Sequence, residues 1–247
     1  TVSGDTDVEP DESFTVTISN AQLTDATPQN IQDATAAGII RNEDQSFAVA
    51  AANASIAEGS SGNTQVAYSI TRTGDLSVAA GIDYAITGSG GGTAADLATG
   101  LLPSGTLTFG VGQDTLAVTF DVIGDTLAEG DETFTLTLSN PSTGFISTAT
   151  ASTIVVNDDT NFAVAAPADS FEGAGGGTAF TFTVSRSGDT TGAGSVNWAV
   201  AAATGITTAD FTGNQDALGS NSGLPSGTVN FAAGETSQTL NIQVAGD

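Results

Sequence analysis

Apolar and polar residues alternate with a period of two along most of the chain. Between Phe14, Val16 and Ile18, for example, the intervening positions are threonines. Successive side chains of a β-strand point to opposite faces, so each such segment predicts a strand with one buried and one solvated face. The other alternating runs are Val66, Tyr68 and Ile70; Leu116, Val118, Phe120 and Val122; Phe134, Leu136 and Leu138; Phe180, Phe182 and Val184; and Leu240, Ile242 and Val244. With Gly-Asp, Ser-Gly and Asn-Pro turns between them, these runs predict an all-β fold, an antiparallel β-sandwich.

The chain repeats itself at a domain-sized interval. Residues 4–20 (GDTDVEPDESFTVTISN) and 124–140 (GDTLAEGDETFTLTLSN) are identical at 11 of 17 positions. The segments FAVAA and LPSGT also occur twice, and Arg72-Thr-Gly-Asp75 returns as Arg186-Ser-Gly-Asp189. A repeat of this length is too long for a solenoid and predicts globular modules in tandem.

The phase of the repeat divides the chain into three parts. We predict an N-terminal half-module (1–45) that carries the second half of the repeat, a complete module (46–160), and a C-terminal half-module (161–247) that carries the first half. Neither half-module holds enough strands to bury a core alone. Each is completed either in cis, by a longer chain, or in trans, by a neighbouring copy in head-to-tail assembly.

The composition excludes several functions. The 247 residues include 28 acidic and 3 basic ones, a net charge of −25, and lack lysine, histidine, cysteine and methionine. A Ser-His-Asp triad, a cysteine nucleophile and a His/Cys zinc site are therefore impossible, and nucleic acid and anionic membranes are repelled. Apolar runs are too short for membrane insertion. This small-residue-rich, acidic composition is typical of extracellular bacterial surface proteins, so an extracellular location is expected.

The carboxylates cluster at predicted turns and strand ends. Asp125, Glu129, Asp131 and Glu132 precede the Phe134 strand, and Asp158-Asp159 closes the module. Ca²⁺ takes six to eight oxygen ligands, often from several loops, so this cluster indicates calcium. Isolated acids are expected only to solvate loops: Asp25, Asp33, Asp96, Asp114 and Asp216. A glycosidase also uses paired carboxylates, but these recur in each module without an aromatic cleft, and we expect no enzyme.

The order of these motifs resembles the Calx-β module. Ala-Glu-Gly after the first strand is followed by Asp-Tyr, Ser-Gly-Thr-Leu-Thr-Phe, Gly-Asp-x-x-x-Glu-x-Asp-Glu-x-Phe-x-x-x-Leu-Ser-Asn-Pro and Asn-Asp-Asp. The resemblance implies an immunoglobulin-like sandwich with calcium bound by loops at one end. Because this chain departs from the exchanger modules, we expect one or two ions per module. In the complete module the resemblance implies the ligands Glu58, Asp83, Asp125, Glu129, Glu132, Asp158 and Asp159. The matching residues elsewhere are Glu172, Asp210 and Asp247, and Asp5, Glu9, Glu12 and Asp44. One departure is Gly124, where exchanger modules have a second aspartate.

Three functions fit these features. The first is a calcium-stabilised extracellular structural or adhesive repeat, with ions stiffening module ends and junctions. The second is a ligand- or glycan-binding module whose long loops, 88–102 and 212–224, form the contact surface. The third is a regulatory calcium sensor.

Overall fold

The computed structural model describes residues 2–201, 203–211 and 223–246. Contacts divide the chain into two compact units. Unit 1 comprises Thr1–Ile56, Gln65–Val122 and Glu132–Val155, and unit 2 comprises Ala57–Thr64, Ile123–Asp131 and Val156–Asp247. The end loops of the complete module are thus grouped with the C-terminal half-module that follows it.

Strands dominate both units, as the alternation predicts. In chain order they are β1 (Glu12–Thr17), β2 (Thr35–Ile40), β3 (Gln45–Ala51), β4 (Ser55–Ala57), β5 (Gly62–Gly74), β6 (Ala80–Ser89), β7 (Ser104–Phe109), β8 (Thr115–Gly124), β9 (Glu132–Ser139), β10 (Phe145–Thr148), β11 (Thr150–Val156), β12 (Thr160–Ala165), β13 (Gly176–Gly188), β14 (Gly194–Ala199), β15 (Ser226–Phe231) and β16 (Ser237–Gly246). One 3₁₀ turn, Thr208–Asp210, is the helical element among the residues described. None of the described segments forms a helix long and apolar enough to cross a bilayer.

The complete module is a β-sandwich. One sheet has the strand order β10-β3-β5-β8 and the other β4-β11-β9-β6-β7. The pairs β3-β5, β6-β7, β6-β9 and β9-β11 are antiparallel, whereas β10 runs parallel to β3. The strands are more numerous than the alternation alone predicts, because the short strands β4 and β10 are added at the sheet edges.

The core between these sheets consists of the predicted inward-facing residues. Phe134 and Leu136 of β9 are fully buried, and so are Phe47 of β3 and Ile70 of β5. The hydroxyl of Tyr68 donates a 2.6 Å hydrogen bond to the carbonyl oxygen of Phe134 and ties the two sheets together across the core. Burial of this apolar surface is the main stabilising contribution to the module.

The N-terminal half-module forms a lone antiparallel hairpin, β1–β2, within unit 1. Its apolar face remains in solvent, with Phe14 49% and Val16 54% exposed. The ring of Phe14 lies over Gly38, where a Cβ atom would come within 2.5 Å of it. The apolar face of the hairpin is therefore not covered by a second sheet among the described residues.

The C-terminal half-module, in unit 2, contains a three-stranded sheet, β12-β13-β16, and a two-stranded sheet, β14-β15. Val184, Val229 and Phe231 form a small buried cluster between them. Phe162 and Phe231 contact each other at a ring-centroid distance of 5.5 Å. This is half of a sandwich, built from the same strands that begin the complete module.

Candidate metal site

Five acids of the complete module gather in three loop segments of unit 2. Glu58, only 8% exposed, is their centre. Its own burial, followed by the negative charges of Asp125, Glu129, Asp159 and Asp158, raises the pKa of Glu58 to about 7. Among carboxylates without a nearby cation, ionisation of each disfavours ionisation of the next. Five of the seven ligands that the resemblance implies for the complete module therefore lie near one another, and their binding of an ion stays a prediction.

Backbone contacts hold these loops at close range. The N–H of Glu58 donates to the carbonyl of Val156 at 3.0 Å. The N–H of Gly59 donates to Asp158 Oδ1, also at 3.0 Å. At Gly124, a Cβ atom would lie 2.1 Å from the carbonyl oxygen of Gly59, so only glycine fits there.

Asp159 carries the feature that best matches a metal ligand. The residue is 6% exposed, and its Oδ2 atom is buried without a hydrogen-bond partner among the described residues. A buried charged oxygen without a partner is costly, and a cation removes that cost. Oxygen-only donors and an unpartnered buried carboxylate oxygen fit a hard ion such as Ca²⁺.

Glu132, at the start of β9 in unit 1, has an acidic neighbour that the sequence did not single out. Carboxylate oxygens of Glu132 and Asp96 lie within 4.8 Å of each other. Asp96 was expected to be a solvated loop residue. Its Oδ2 atom accepts hydrogen bonds from the N–H of Thr93 at 2.7 Å and the hydroxyl of Thr93 at 2.9 Å. No sequence signal separates it from other loop aspartates, because only the turn 93–96 brings it to Glu132.

Asp83 does not join the other predicted ligands. It lies opposite Ser139, at the end of β9 remote from Glu132. The length of β9 separates the two acids by on the order of 20 Å. Hydrogen bonds from the side chains of Thr106 and Asn140 lower the pKa of Asp83. Each carboxylate oxygen of Asp83 thus accepts a hydrogen bond from a neighbouring side chain.

The strand register also changes which residue matches Asp83 in the C-terminal half-module. Asn197 of β14 faces Thr228, as Asp83 of β6 faces Thr106. Its side chain accepts a 2.8 Å hydrogen bond from the Thr228 hydroxyl. Asp210 instead caps the 3₁₀ turn, accepting from the N–H and hydroxyl of Thr207. Asp83 and Asn197 thus make the same hydrogen bond to a threonine of the paired strand, although one is a carboxylate and the other an amide.

The other predicted ligands of the half-modules lie at the corresponding turns. Glu172 is exposed, and its carbonyl accepts from Thr178 as that of Glu58 accepts from Thr64. Asp247 lies outside the described residues. At the N-terminal end, the charge of Asp5, then that of Glu12, raises the pKa of Glu9, with smaller contributions from burial, Asp7 and Asp44. The acids Asp5, Glu9, Glu12 and Asp44 are therefore neighbours as well.

An asparagine beside these acids was missed in the sequence. Asn157, 9% exposed, accepts from the N–H of Glu129 at 3.1 Å and donates through Nδ2 to the carbonyl of Asp159 at 3.2 Å. Its own N–H donates to Asp131 Oδ1 at 3.2 Å. The carbonyl of Asp159 also accepts from the N–H of Asp189, at 2.8 Å. We call this arrangement the asparagine joint, because it links the end of one module to the β13 turn of the next.

The same joint occurs at the preceding module boundary, within unit 1. Asn42 accepts from Glu9 N–H at 3.2 Å, donates to the Asp44 carbonyl at 3.0 Å and is held by Asp11 Oδ1 at 3.0 Å. The Asp44 carbonyl again accepts from the next module, from Asp75 N–H at 2.9 Å. Two independent copies with the same bonds show that the joint is a regular feature of the repeat. The repeated Asn before the closing acid pair was the available signal.

Comparison with known proteins decides the family. The family model of the Calx-beta domain matches residues 41–160 and 171–247. The chain belongs to the Calx-beta domain family. The matched Calx-beta segments correspond to the complete module and most of the C-terminal half-module. No curated protein matches this sequence.

Solved Calx-beta structures resemble the chain. The apo-form Calx CBD1 domain is 24% identical and covers 47% of this chain and 98% of its own, with a TM-score of 0.39. CBD12 from CALX1.2 is 21% identical, with 81% and 74% covered and a TM-score of 0.41. The calcium binding domain CBD12 of CALX1.1 is also 21% identical, with 78% and 74% covered and a TM-score of 0.39.

The raised pKa of Glu58 predicts a pH dependence of the Calx-beta module in chelator. The folded state binds the proton of the Glu58 carboxyl more tightly than the unfolded chain does, so this group contributes most to the free energy of unfolding below about pH 4.5 to 5. That contribution is lost as the pH rises through about 7. After allowance for screening by water, the loss is about 1 to 2 kcal/mol. Calorimetric melting at several pH values measures it. The Glu58→Gln variant should lose this part of the pH dependence, and an unchanged profile in that variant would contradict the assignment.

Proposed function

We propose that this chain is a calcium-stabilised structural repeat of an extracellular surface or filament protein. In this proposal, Ca²⁺ is held by Glu58, Asp125, Glu129, Asp158 and Asp159 and fixes the joint between successive modules. The printed title of one similar structure, a calcium binding domain, supports the choice of ion. Exposed ligands such as Asp125 and Glu129 favour the weak affinity of extracellular modules, which work at millimolar calcium.

The observation that carries the proposal is the double role of Asp159. Its carboxylate has a buried oxygen without a partner among the described residues, while its backbone carbonyl accepts hydrogen bonds from Asn157 and from Asp189 of the next module. A cation that holds the carboxylate of Asp159 in place therefore also holds its backbone carbonyl, which accepts the hydrogen bond from the N–H of Asp189.

Without a cation, repulsion between the carboxylates of these loops destabilises their folded arrangement. The pKa of Glu58 is raised to about 7 because the side chain is buried and because four other carboxylates lie near it. A bound divalent ion supplies the positive charge that allows all five groups to be ionised together. The loops 57–64, 123–131 and 156–159 are then drawn together at the joint, which stiffens the array.

Thermal unfolding of the chain with calcium and with chelator tests the proposal. Free Ca²⁺ at a hundred times its dissociation constant adds about 2.7 kcal/mol. For a chain of this size the expected rise in Tm is about 5 to 10 °C. Additional NaCl should not reproduce it, since screening alone does not supply a coordinated ion.

The matched variants are Asp159→Asn and Asp114→Asn, which remove the same charge. Asp159→Asn should raise the Tm in chelator, because repulsion falls, and abolish the calcium increment. Asp114, an exposed acid outside the cluster, should leave the increment unchanged when replaced. An equal calcium response in both variants, or none in the parent chain, would show that the acids only solvate the loops.

A further inference from the structure

At both module boundaries a glycine lies against the segment that links the two modules. Gly74 is the last residue of β5 and has φ +91°, and Gly188 is the last residue of β13 and has φ +85°. A Cβ atom on either glycine would overlap a backbone carbonyl oxygen of the linking segment, that of Asp44 or Asp159. Any other residue would therefore be strained at this φ angle and would also lack room for its side chain.

The preceding module reaches the same glycine through a second segment, which we call the acid loop (5–11 in the first boundary, 125–131 in the second). A Cβ atom on Gly188 would lie 2.5 Å from Cβ of Ala128, and one on Gly74 would lie 3.1 Å from Cγ1 of Val8. Val8 and Ala128 are the same position of the sequence repeat. The valine makes the contact with the end of its side chain and the alanine with its Cβ atom. The contact is thus present at both boundaries although the residue differs.

A buried arginine fixes the turn that follows each glycine. Nη1 of Arg72 donates to the carbonyl of Val78 at 2.9 Å, and Nη1 of Arg186 donates to the carbonyl of Gly192 at 2.8 Å. Both arginines are at most 5% exposed. Since the turn is held from inside and the linking carbonyl belongs to the backbone, neither can move aside easily for an added atom.

We propose that the two glycines are docking seats for the acid loop of the preceding module, and that Val8 and Ala128 are the residues that fill them. A seat without a side chain of its own has room only for a small apolar group. A long side chain would overpack it, and a charged one would lose its hydration without gaining a partner. The seat therefore fits a preceding module that carries alanine or valine directly before its loop glutamate, and it determines which modules can follow one another.

The docking seat contains no ionisable group, so it is tested in chelator and apart from the proposed calcium site. Hydrogen exchange of the whole chain gives a reporter on each side of the second seat. The N–H of Glu129, in the acid loop, donates to Asn157 Oδ1, and the N–H of Asp189, in the β13 turn, donates to the carbonyl of Asp159. A contact across the seat predicts that a change on one side alters exchange on the other. A missing calcium response would leave this result unchanged.

Gly188→Ala changes the seat, and Glu129 reports on the loop. The added Cβ atom should displace Ala128, so the N–H of Glu129 should exchange about 10- to 100-fold faster. Gly234→Ala is the matched control, because Gly234 also has a positive φ, +78°, but a Cβ atom there would meet nothing within 4 Å. It introduces similar backbone strain without the collision and should leave the exchange of Glu129 unchanged.

Ala128→Leu changes the loop, and Asp189 reports on the turn. The larger side chain does not fit against the backbone of Gly188, so the N–H of Asp189 should exchange about 10- to 100-fold faster. Thr126→Leu, at an exposed position of the same loop, is the matched control and should have no such effect. This pair of variants leaves the β13 turn unaltered and decides the test if Gly188→Ala does not fold.

The double variant Ala128→Gly with Gly188→Ala shows whether the two residues act through one contact. Removing the Cβ atom of Ala128 relieves part of the collision, so Glu129 should exchange more slowly in the double variant than in Gly188→Ala alone. Independent effects would instead add in free energy, and the double variant would exchange fastest. That outcome would overturn the proposal, and so would equal rates at Glu129 in the two alanine variants or at Asp189 in the two leucine variants. Circular dichroism and the protection of the β13 amides establish that each variant is folded.

Discussion

Replacing Arg72 with alanine will lower the free energy of unfolding of the complete module by about 3 to 5 kcal/mol. The side chain is 1% exposed and donates hydrogen bonds to the carbonyls of Val78, at 2.9 Å, and Gly110, at 3.3 Å. Its guanidinium also lies 5.6 Å from the centre of the Phe109 ring. Truncation leaves two carbonyl oxygens without their donor and a cavity beside an aromatic ring, and both effects are destabilising.

Differential scanning calorimetry measures this loss. Arg41→Ala is the matched control, because Arg41 is exposed, and it should change stability by less than about 0.5 kcal/mol. Arg186 donates to the carbonyls of Gly192 and Asp189 in the same manner, so Arg186→Ala should destabilise the C-terminal half-module similarly. Equal melting curves for the Arg72 and Arg41 variants would show that the buried guanidinium contributes nothing.

Replacing Asn157 with alanine will destabilise the second asparagine joint locally by about 2 to 5 kcal/mol. The side-chain amide of Asn157 is largely buried. It accepts a hydrogen bond from the N–H of Glu129 and donates one to the carbonyl of Asp159. Each group left without a partner costs about 1 to 3 kcal/mol. Because the Asp159 carbonyl also receives Asp189, loss of this amide should loosen the link to the next module.

Hydrogen exchange measures the protection of individual N–H groups at the joint. The N–H groups of Glu129 and Asp189 should exchange faster in Asn157→Ala, whereas the core amides of β9 keep their protection. Asn53→Ala, which removes an exposed asparagine side chain, should leave both rates unchanged. If Asp189 is equally protected in both variants, the side chain of Asn157 does not hold the modules together.

Much of the fold follows from the sequence because its signals are local. Alternation around Phe134 determines which face of β9 enters the core, and the repeat of 4–20 at 124–140 predicts that β1 is a strand like β9. Both predictions depend only on side-chain direction and on the likeness of two segments, and both match the structure. The family identified from the motif order is the one that the family model matches.

The candidate site is less predictable because it depends on which loops meet. The acids at 125–132 and 158–159 cluster in sequence, and Glu58 follows from the family resemblance, but Asp83 and Asp96 could not be placed by spacing. The partners of Asp83 depend on the register of β6 with β9, in which it lies opposite Ser139. Asp96 lies near Glu132 only because of the turn in which it accepts a hydrogen bond from Thr93. Asn157 belongs to the quoted Asn-Asp-Asp motif, but its role was not predicted, because a neutral amide has no charge pattern that would indicate the hydrogen bonds that organise the joint.

The burial of two arginines also determines how the folded chain withstands proteolysis. Trypsin-like proteases cleave after lysine or arginine, and this chain has three arginines and no lysine. Arg72 and Arg186 are enclosed by the carbonyls they cap, which leaves Arg41, one residue before Asn42 of the first joint, as the accessible bond among the three. Acidic residues at 43 and 44 follow Asn42 on the other side of that bond. An array of such modules should therefore resist this class of protease at Arg72 and Arg186 while it is folded, so the first cut is expected after Arg41.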